Sequence, residues 1–316
     1  MSDRLSRRTF VKSSLIGSAG LAVGGAAGVT EAKNPASPPA KKGALPMGRI
    51  GDLEVSRILL GGNLLTHYTH SRDLRYVYNL AKHYNTKEKI FETMAEAEAN
   101  GINTLVIHTA DGVLDWLQEY REKHGGKMQW IICSTAPCDA SMGAYTRSCE
   151  MMADVGVDAI YLWGVHGDAL CKENRFDLMK QAVVIAKSQG VPSGVGAHEL
   201  DVIKACEEHD VPADFYVKTL HHHNYPSAKL DFDSMWSTHP EETIAFMETV
   251  EKPWIAFKVM AAGAIPPKDA FQYVFTGGCD FSLAGMFDYE IEEDCRIARE
   301  VLASDAVRAR NRPWRG

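Results

Sequence analysis

Residues 86–108 read Thr-Lys-Glu-Lys-Ile-Phe-Glu-Thr-Met-Ala-Glu-Ala-Glu-Ala-Asn-Gly-Ile-Asn-Thr-Leu-Val-Ile-His. Thr86–Asn100 is an amphipathic helical pattern that stops at Asn100-Gly101, a pair suited to the left-handed end of a helix. Asn103–His108, two residues on, is an apolar run of strand length. One helix, a tight turn and one strand make a single unit, and the fold depends on how often that unit recurs.

It recurs along the chain. A hairpin is predicted over Met47–Val55, turning at Gly51-Asp52, and a first barrel strand at Arg57–Leu60 ends in Gly61-Gly62. Further strands are predicted near Gln129–Ser134, Asp158–Trp163, Gly194–Ala197, Asp214–Leu220, Trp254–Val259 and Asp280–Ala284. Helical patterns lie between them, and a last helix runs from Tyr289 to Leu302. Strands alternating with helices imply an α/β protein with a parallel sheet. Eight such units predict a single closed (β/α)8 TIM barrel. An open doubly wound sheet would need a glycine-rich phosphate loop after its first strand. Gly61-Gly62-Asn63 has no GxGxxG continuation and leads into a long polar and aromatic excursion, Asn63–Asn85.

Ahead of the barrel, residues 5–12 read Leu-Ser-Arg-Arg-Thr-Phe-Val-Lys, followed by the Gly- and Ala-diluted apolar stretch Ser13–Val29. This resembles a twin-arginine export signal over residues 1–32, too short and glycine-rich for a comfortable membrane span. Residues 33–46, rich in Pro, Ala and Lys, read as a linker, which leaves 47–316 for the barrel. The expectation is a bacterial protein exported to the periplasm or beyond by the twin-arginine translocation machinery, with no stable membrane span after processing. Such a chain folds before export, so its seven cysteines, odd in number and without a CxxC spacing, read as small core residues rather than disulfide partners. A net charge of −7 without a basic stripe argues against nucleic acid as a partner.

Several segments resemble the aldo/keto reductases, in order: Leu53–Gly62, Ala97–Asn103, Val157–Leu162, Lys252–Gly263 and Asp280–Met286. The resemblance implies a barrel of that type, with a hairpin closing its bottom. It does not extend to the Asp–Tyr–Lys–His tetrad of those reductases. The acidic position falls at Val106, the lysine near Ala136 and the histidine near Gly164, and no tyrosine occurs in Thr109–Leu117. The segment matching the cofactor-phosphate site reads Asp288-Tyr289-Glu290-Ile291-Glu292-Glu293-Asp294, acidic where the phosphate of NADP would want an arginine.

Barrel active sites lie at the carboxyl ends of the strands. Strand parity there places Lys218, Lys258, His108 and His198 inward at one mouth, as candidate catalytic groups. Two close ammonium groups would depress one another's pKa and favour a neutral amine as base or nucleophile. Pairing of each lysine with an interior carboxylate is the plainer alternative. Asn63, His67, His70 and Arg72 of the excursion, with Trp236, are candidate substrate-binding residues. His221, the first of three adjacent histidines, could join His198 around a divalent metal, unless that run is an exposed polar loop.

These residues predict an exported barrel enzyme acting on a small polar or sugar-like carbonyl or hydroxyl substrate, by Lys/His acid–base or metal-assisted lyase/isomerase chemistry. The alternatives are an NAD(P)-dependent oxidoreductase with a non-standard site and a non-catalytic periplasmic binding protein. No cofactor is fixed by the sequence; a divalent metal is ranked ahead of NAD(P).

Overall fold

The computed structural model describes residues 44–316; the expected export signal and most of the expected linker lie outside the described residues. Eight parallel strands close a barrel: β3 (Ile58–Gly61), β4 (Thr104–His108), β5 (Gln129–Ser134), β6 (Ala159–Leu162), β7 (Ser193–Ala197), β8 (Phe215–Thr219), β9 (Trp254–Phe257) and β10 (Phe281–Ala284). They follow in chain order around the barrel, and β10 closes it by pairing with β3. β1 (Met47–Ile50) and β2 (Leu53–Ser56) form an antiparallel hairpin whose Ile50 and Val55 pack into the barrel interior with Leu59, Phe215 and Phe281. This is a single TIM barrel with an N-terminal hairpin, as the strand–helix alternation predicts.

The helices form the outer layer: α1 (Arg75–Tyr84), α2 (Lys87–Ala99), α3 (Val113–Lys123), α4 (Gly143–Asp154), α5 (Gly164–Lys172), α6 (Phe176–Lys187), α7 (Leu200–Glu208), α8 (Pro240–Thr249), α9 (Pro267–Thr276), α10 (Asp288–Leu302) and the short α11 (Asp305–Arg308). Three of them depart from the sequence reading, α11 because it follows the helix expected to be the last. α5 leaves β6 almost at once and runs only from Gly164 to Lys172, too short to show a helical stripe. α1 lies inside the polar excursion and buries only Ala81.

The inward parity expected for β4 and β7 holds: Val106 faces the interior, while Leu105, Ile107, Val195 and Ala197 pack toward the helices. For β8 and β9 it is reversed. Phe215, Val217 and Ile255 fill the interior, and Tyr216, Trp254 and Ala256 face outward. Both faces of a barrel strand are apolar, so alternation alone does not say which is which. Gly194 does say so. A Cβ there would stand 2.6 Å from the Phe215 ring, so the missing side chain makes room for that ring inside the barrel.

The bottom of the barrel is tied by ions. Arg312, fully buried, donates to Asp280 at 2.6 Å, and Asp280 also accepts the amides of Trp254 and Arg315. All seven cysteines are free, five of them buried. Among the described residues no helix is long and apolar enough to cross a membrane.

Candidate active site

The carboxyl ends of the strands open into one cavity of about 980 Å³. His108 ends β4 and lines it, as do Cys133 of β5, Tyr161 of β6, His198 just beyond β7, and Phe257 and Lys258 at the end of β9. The roof is the excursion 63–85. Its neck is closed by His67, whose Nε2 donates to the Asn85 carbonyl at 2.7 Å, and by Asn85, whose amide donates to the Leu64 carbonyl at 2.9 Å. Arg72 pairs through its backbone with Asp233, holding the excursion against the loop between β8 and α8. His67 and Arg72 therefore shape the roof and do not line the cavity, whereas Asn63, His70 and Trp236 do.

Lys258 reaches this cavity in an unexpected way. By strand parity it would face the helices, but β9 ends one residue earlier and Lys258 adopts a left-handed backbone, φ 58°. The turn swings its side chain back over the mouth. Its Nζ donates to His70 Nε2 at 2.6 Å and lies 4.1 Å from the centre of the Trp236 ring. His70 in turn donates from Nδ1 to Asp233 at 2.9 Å, a tautomer that follows from this hydrogen-bond network. Burial lowers the Lys258 pKa to about 8, although the Asp233 charge opposes the shift. Burial also lowers that of His70, against the pull of Asp233 and with the help of the Lys258 and His198 charges. The result is a neutral imidazole linking a readily deprotonated amine to a carboxylate half-exposed to water.

On the facing side, His198 Nδ1 is held 2.6 Å from Asp168 Oδ2, while Asp168 Oδ1 accepts the backbone amides of His198 and Glu199. The carboxylate in the middle of α5 therefore fixes the ring and leaves Nε2 without a protein partner among the described residues. His108 is kept neutral by burial and meets the edge of Tyr68 with ring centres 5.8 Å apart.

Lys218 does not join this group. It sits within β8 on the outward face, and its Nζ donates to the Thr219 carbonyl and hydroxyl, both at 3.0 Å. It lines a separate cavity of about 60 Å³ with Glu199 and Glu242. His198 lines both spaces and stands between the two lysines. Burial lowers the pKa of Lys218 to about 8 as well, with Glu199 and Asp168 opposing.

The metal expectation on His198 and His221 is corrected. His221 is fully buried, and both its ring nitrogens are used within the protein. Nε2 accepts the amides of Trp236 and Ser237, each at 3.0 Å, and Nδ1 donates to the His222 carbonyl. Burial lowers its pKa to about 4, so it stays neutral and pins the loop that carries Trp236. No group of three or more His, Cys, Asp or Glu among the described residues could hold a metal ion.

Comparison with solved structures agrees with the barrel. The chain is similar to a putative aldo-keto reductase from Pseudomonas aeruginosa at 16% identity, covering 81% of this chain and 94% of that one with a TM-score of 0.56. It is similar to the holo form of an aldo-keto reductase from Bacillus halodurans at 10% identity, covering 80% and 90%, TM-score 0.54. A variant of Gox0644 solved in complex with NADPH matches at 12% identity, covering 85% and 93%, TM-score 0.56. No protein-family model and no curated protein matches the sequence. The chain thus has a divergent aldo-keto-reductase-like (β/α)8 barrel fold. The ranking of a divalent metal ahead of NAD(P) is overturned from both sides: the described residues hold no metal-binding cluster, and a protein with this fold binds NADPH.

Sequence reasoning missed Asp168, Asp233, Tyr68 and Phe257. The two carboxylates lie 30 and 163 residues from the histidines they hold, on segments with no local motif.

Proposed function

We propose that the protein is an oxidoreductase that moves a hydride between a nicotinamide dinucleotide and the carbonyl or hydroxyl carbon of a small polar, sugar-like substrate, with Lys258 handling the proton. One observation carries this reading. The cavity that holds Lys258, His198 and His108 at the barrel mouth continues as a single space past residues 258–267 to the start of α10, where Phe287, Glu290 and Asp294 line it. A small substrate does not need that second arm; a dinucleotide does.

The groups along the way suit one. Lys258, Ala261, Ala262 and Gly263 all have left-handed backbones. Such conformations are disfavoured by of order 1 kcal/mol at non-glycine positions, and they cluster at ligand sites. The Ala261 and Ala264 amides turn back onto loop carbonyls. Those of Ala262 and Gly263, which line the cavity, have no protein acceptor among the described residues. Successive amides in turned backbone form a concavity suited to phosphate oxygens. The likeness in fold to reductases, one of them holding NADPH, supports the same reading by analogy.

A bound nicotinamide would supply or accept the hydride. Lys258 would give a proton to the substrate oxygen on reduction and take it back on oxidation, its pKa of about 8 suiting both directions near neutrality. His70 and Asp233 connect the amine to water, so the proton can be exchanged between turnovers. His198, oriented by Asp168, and neutral His108 would hold the substrate's polar groups, with Trp163, Trp236 and Tyr68 walling the mouth. Proton transfer would then come from the end of β9, in place of the tetrad positions at Val106, Ala136 and Gly164. The twin-arginine-like opening supports export of the protein after it has folded around its cofactor. Replacing Arg7 and Arg8 by Lys should leave the protein in the cytoplasm.

The test is consumption of NADH or NADPH with a panel of short hydroxy-aldehydes and ketones. Wild type should turn over, whereas Lys258→Met and His198→Ala should keep the wild-type circular dichroism and lose activity. Wild-type rates in both variants contradict the proposal. The depressed amine of Lys258 also favours a second reading, cofactor-free lyase or isomerase chemistry on the same substrates. It would show as substrate conversion without any dinucleotide.

A further inference from the structure

We propose that the cavity arm beside α10 recognises a neutral, hydroxyl-bearing group through Asp294 and Glu290 and excludes a phosphorylated one, so that the site takes NAD(H) rather than NADP(H). This rests on the dinucleotide reading above and specifies it.

Asp294 is the central observation. It is only 5% exposed, it lines the cavity, and its carboxyl group has no hydrogen-bond or cationic partner among the described residues. Native proteins rarely leave a buried carboxyl unmatched, and one that faces a cavity is matched by what enters it. Glu290, one turn earlier, lines the same arm. One of its oxygens accepts the Phe287 amide at 2.9 Å and caps α10; the other remains for a ligand.

Of the charged residues of α10, only the acidic Glu290 and Asp294 line this arm. Burial, followed by the charges of Glu290 and Glu293, raises the Asp294 pKa to about 7. Lys89, the cation that reaches the start of α10, is engaged by Glu92 and Asp288 and does not line the cavity. Arg296 is engaged by Glu293 and Glu300. The positive end of the helix, which would otherwise favour an anion, already has Asp288 and Glu290 in its first turn.

The two nicotinamide dinucleotides differ at one place, a ribose 2′-hydroxyl against a 2′-phosphate. A carboxylate accepts hydrogen bonds from vicinal ribose hydroxyls, whereas a phosphate wants an arginine. An arm with two carboxyl groups and no cation lining it fits the hydroxyl and repels the phosphate.

The experiment is calorimetric titration of the purified full-length protein with NAD+ and with NADP+ separately, repeated on Asp294→Asn, Asp294→Ser and Glu290→Gln. The last variant keeps a capping side chain while removing a charge. Wild type should bind NAD+ about tenfold or more tighter than NADP+, and the ratio should narrow several-fold in the variants, chiefly because NADP+ gains. Equal or tighter NADP+ binding by wild type overturns this inference and leaves the oxidoreductase reading standing. A ratio unchanged in all three variants overturns the assignment to these residues. Failure of wild type to bind either dinucleotide overturns both.

Discussion

One lysine stands near the end of β8, fully buried, and another just past β9, partly buried, and loss of water brings each to a pKa of about 8. They differ in where the strand stops. Lys218 lies inside β8 on its outward face and spends its protons on Thr219 next door. Lys258 lies one residue past β9, and a left-handed turn brings it back over the barrel mouth to His70 and Trp236. A depressed pKa therefore does not by itself mark a working lysine. Access to the large cavity and a hydrogen-bonded route to water do.

Removing the two amines separately is the sharpest way to break this comparison. Lys258→Met should lower turnover by about 10³-fold, within the range for a proton-transferring group, while Lys218→Met should stay within a few-fold of wild type. Equal losses would put both lysines in one site. Next in size is Asp168→Asn, which replaces the acceptor holding His198 by an amide. Turnover should fall by about 10²-fold with the fold retained. An unchanged rate would mean that His198 only walls the site.

The pH dependence separates the lysines again. In the direction of carbonyl reduction, Lys258 must be protonated, so kcat/KM should fall about tenfold per pH unit above about 8. In the oxidative direction the rate should rise through the same pH. A limb near pH 8 that survives in Lys258→Met would belong to another group.

The smallest effect is on stability. The folded protein holds Lys218 at about 8 against 10.5 for a free lysine, so between those values the unfolded chain binds more protons. Its contribution therefore destabilises fully below pH 8 and is relieved as pH rises toward 10.5. Lys218→Met should raise stability at pH 7 by ~1–3 kcal/mol and flatten this rise. Urea titrations at several pH values measure both, and a loss of stability would show that the Thr219 contacts outweigh the desolvation.

The architecture was legible because each unit carries local signals, such as the helix stop at Asn100-Gly101 before the β4 run. The site was legible in part. His108 and His198 stand at strand ends that parity places correctly, and Lys258, His70, Asn63 and Trp236 do meet in one cavity. Parity failed for β8 and β9 because both faces of their strands are apolar. The space at Gly194 that admits Phe215 was the signal that would have fixed the direction. His221 could not be judged from its neighbours, since the amides that occupy it lie 15 and 16 residues downstream. The partner carboxylates Asp168 and Asp233 depend on chain closure, which no local pattern encodes.

The most direct measurement is a crystal structure from crystals grown with NADH. A dinucleotide lying along the cavity from Lys258, past Ala262 and Gly263, to Asp294 is the expected result. A cavity free of dinucleotide at saturating NADH, or one bound elsewhere on the barrel, would contradict the assignment of this space to a hydride-transfer site.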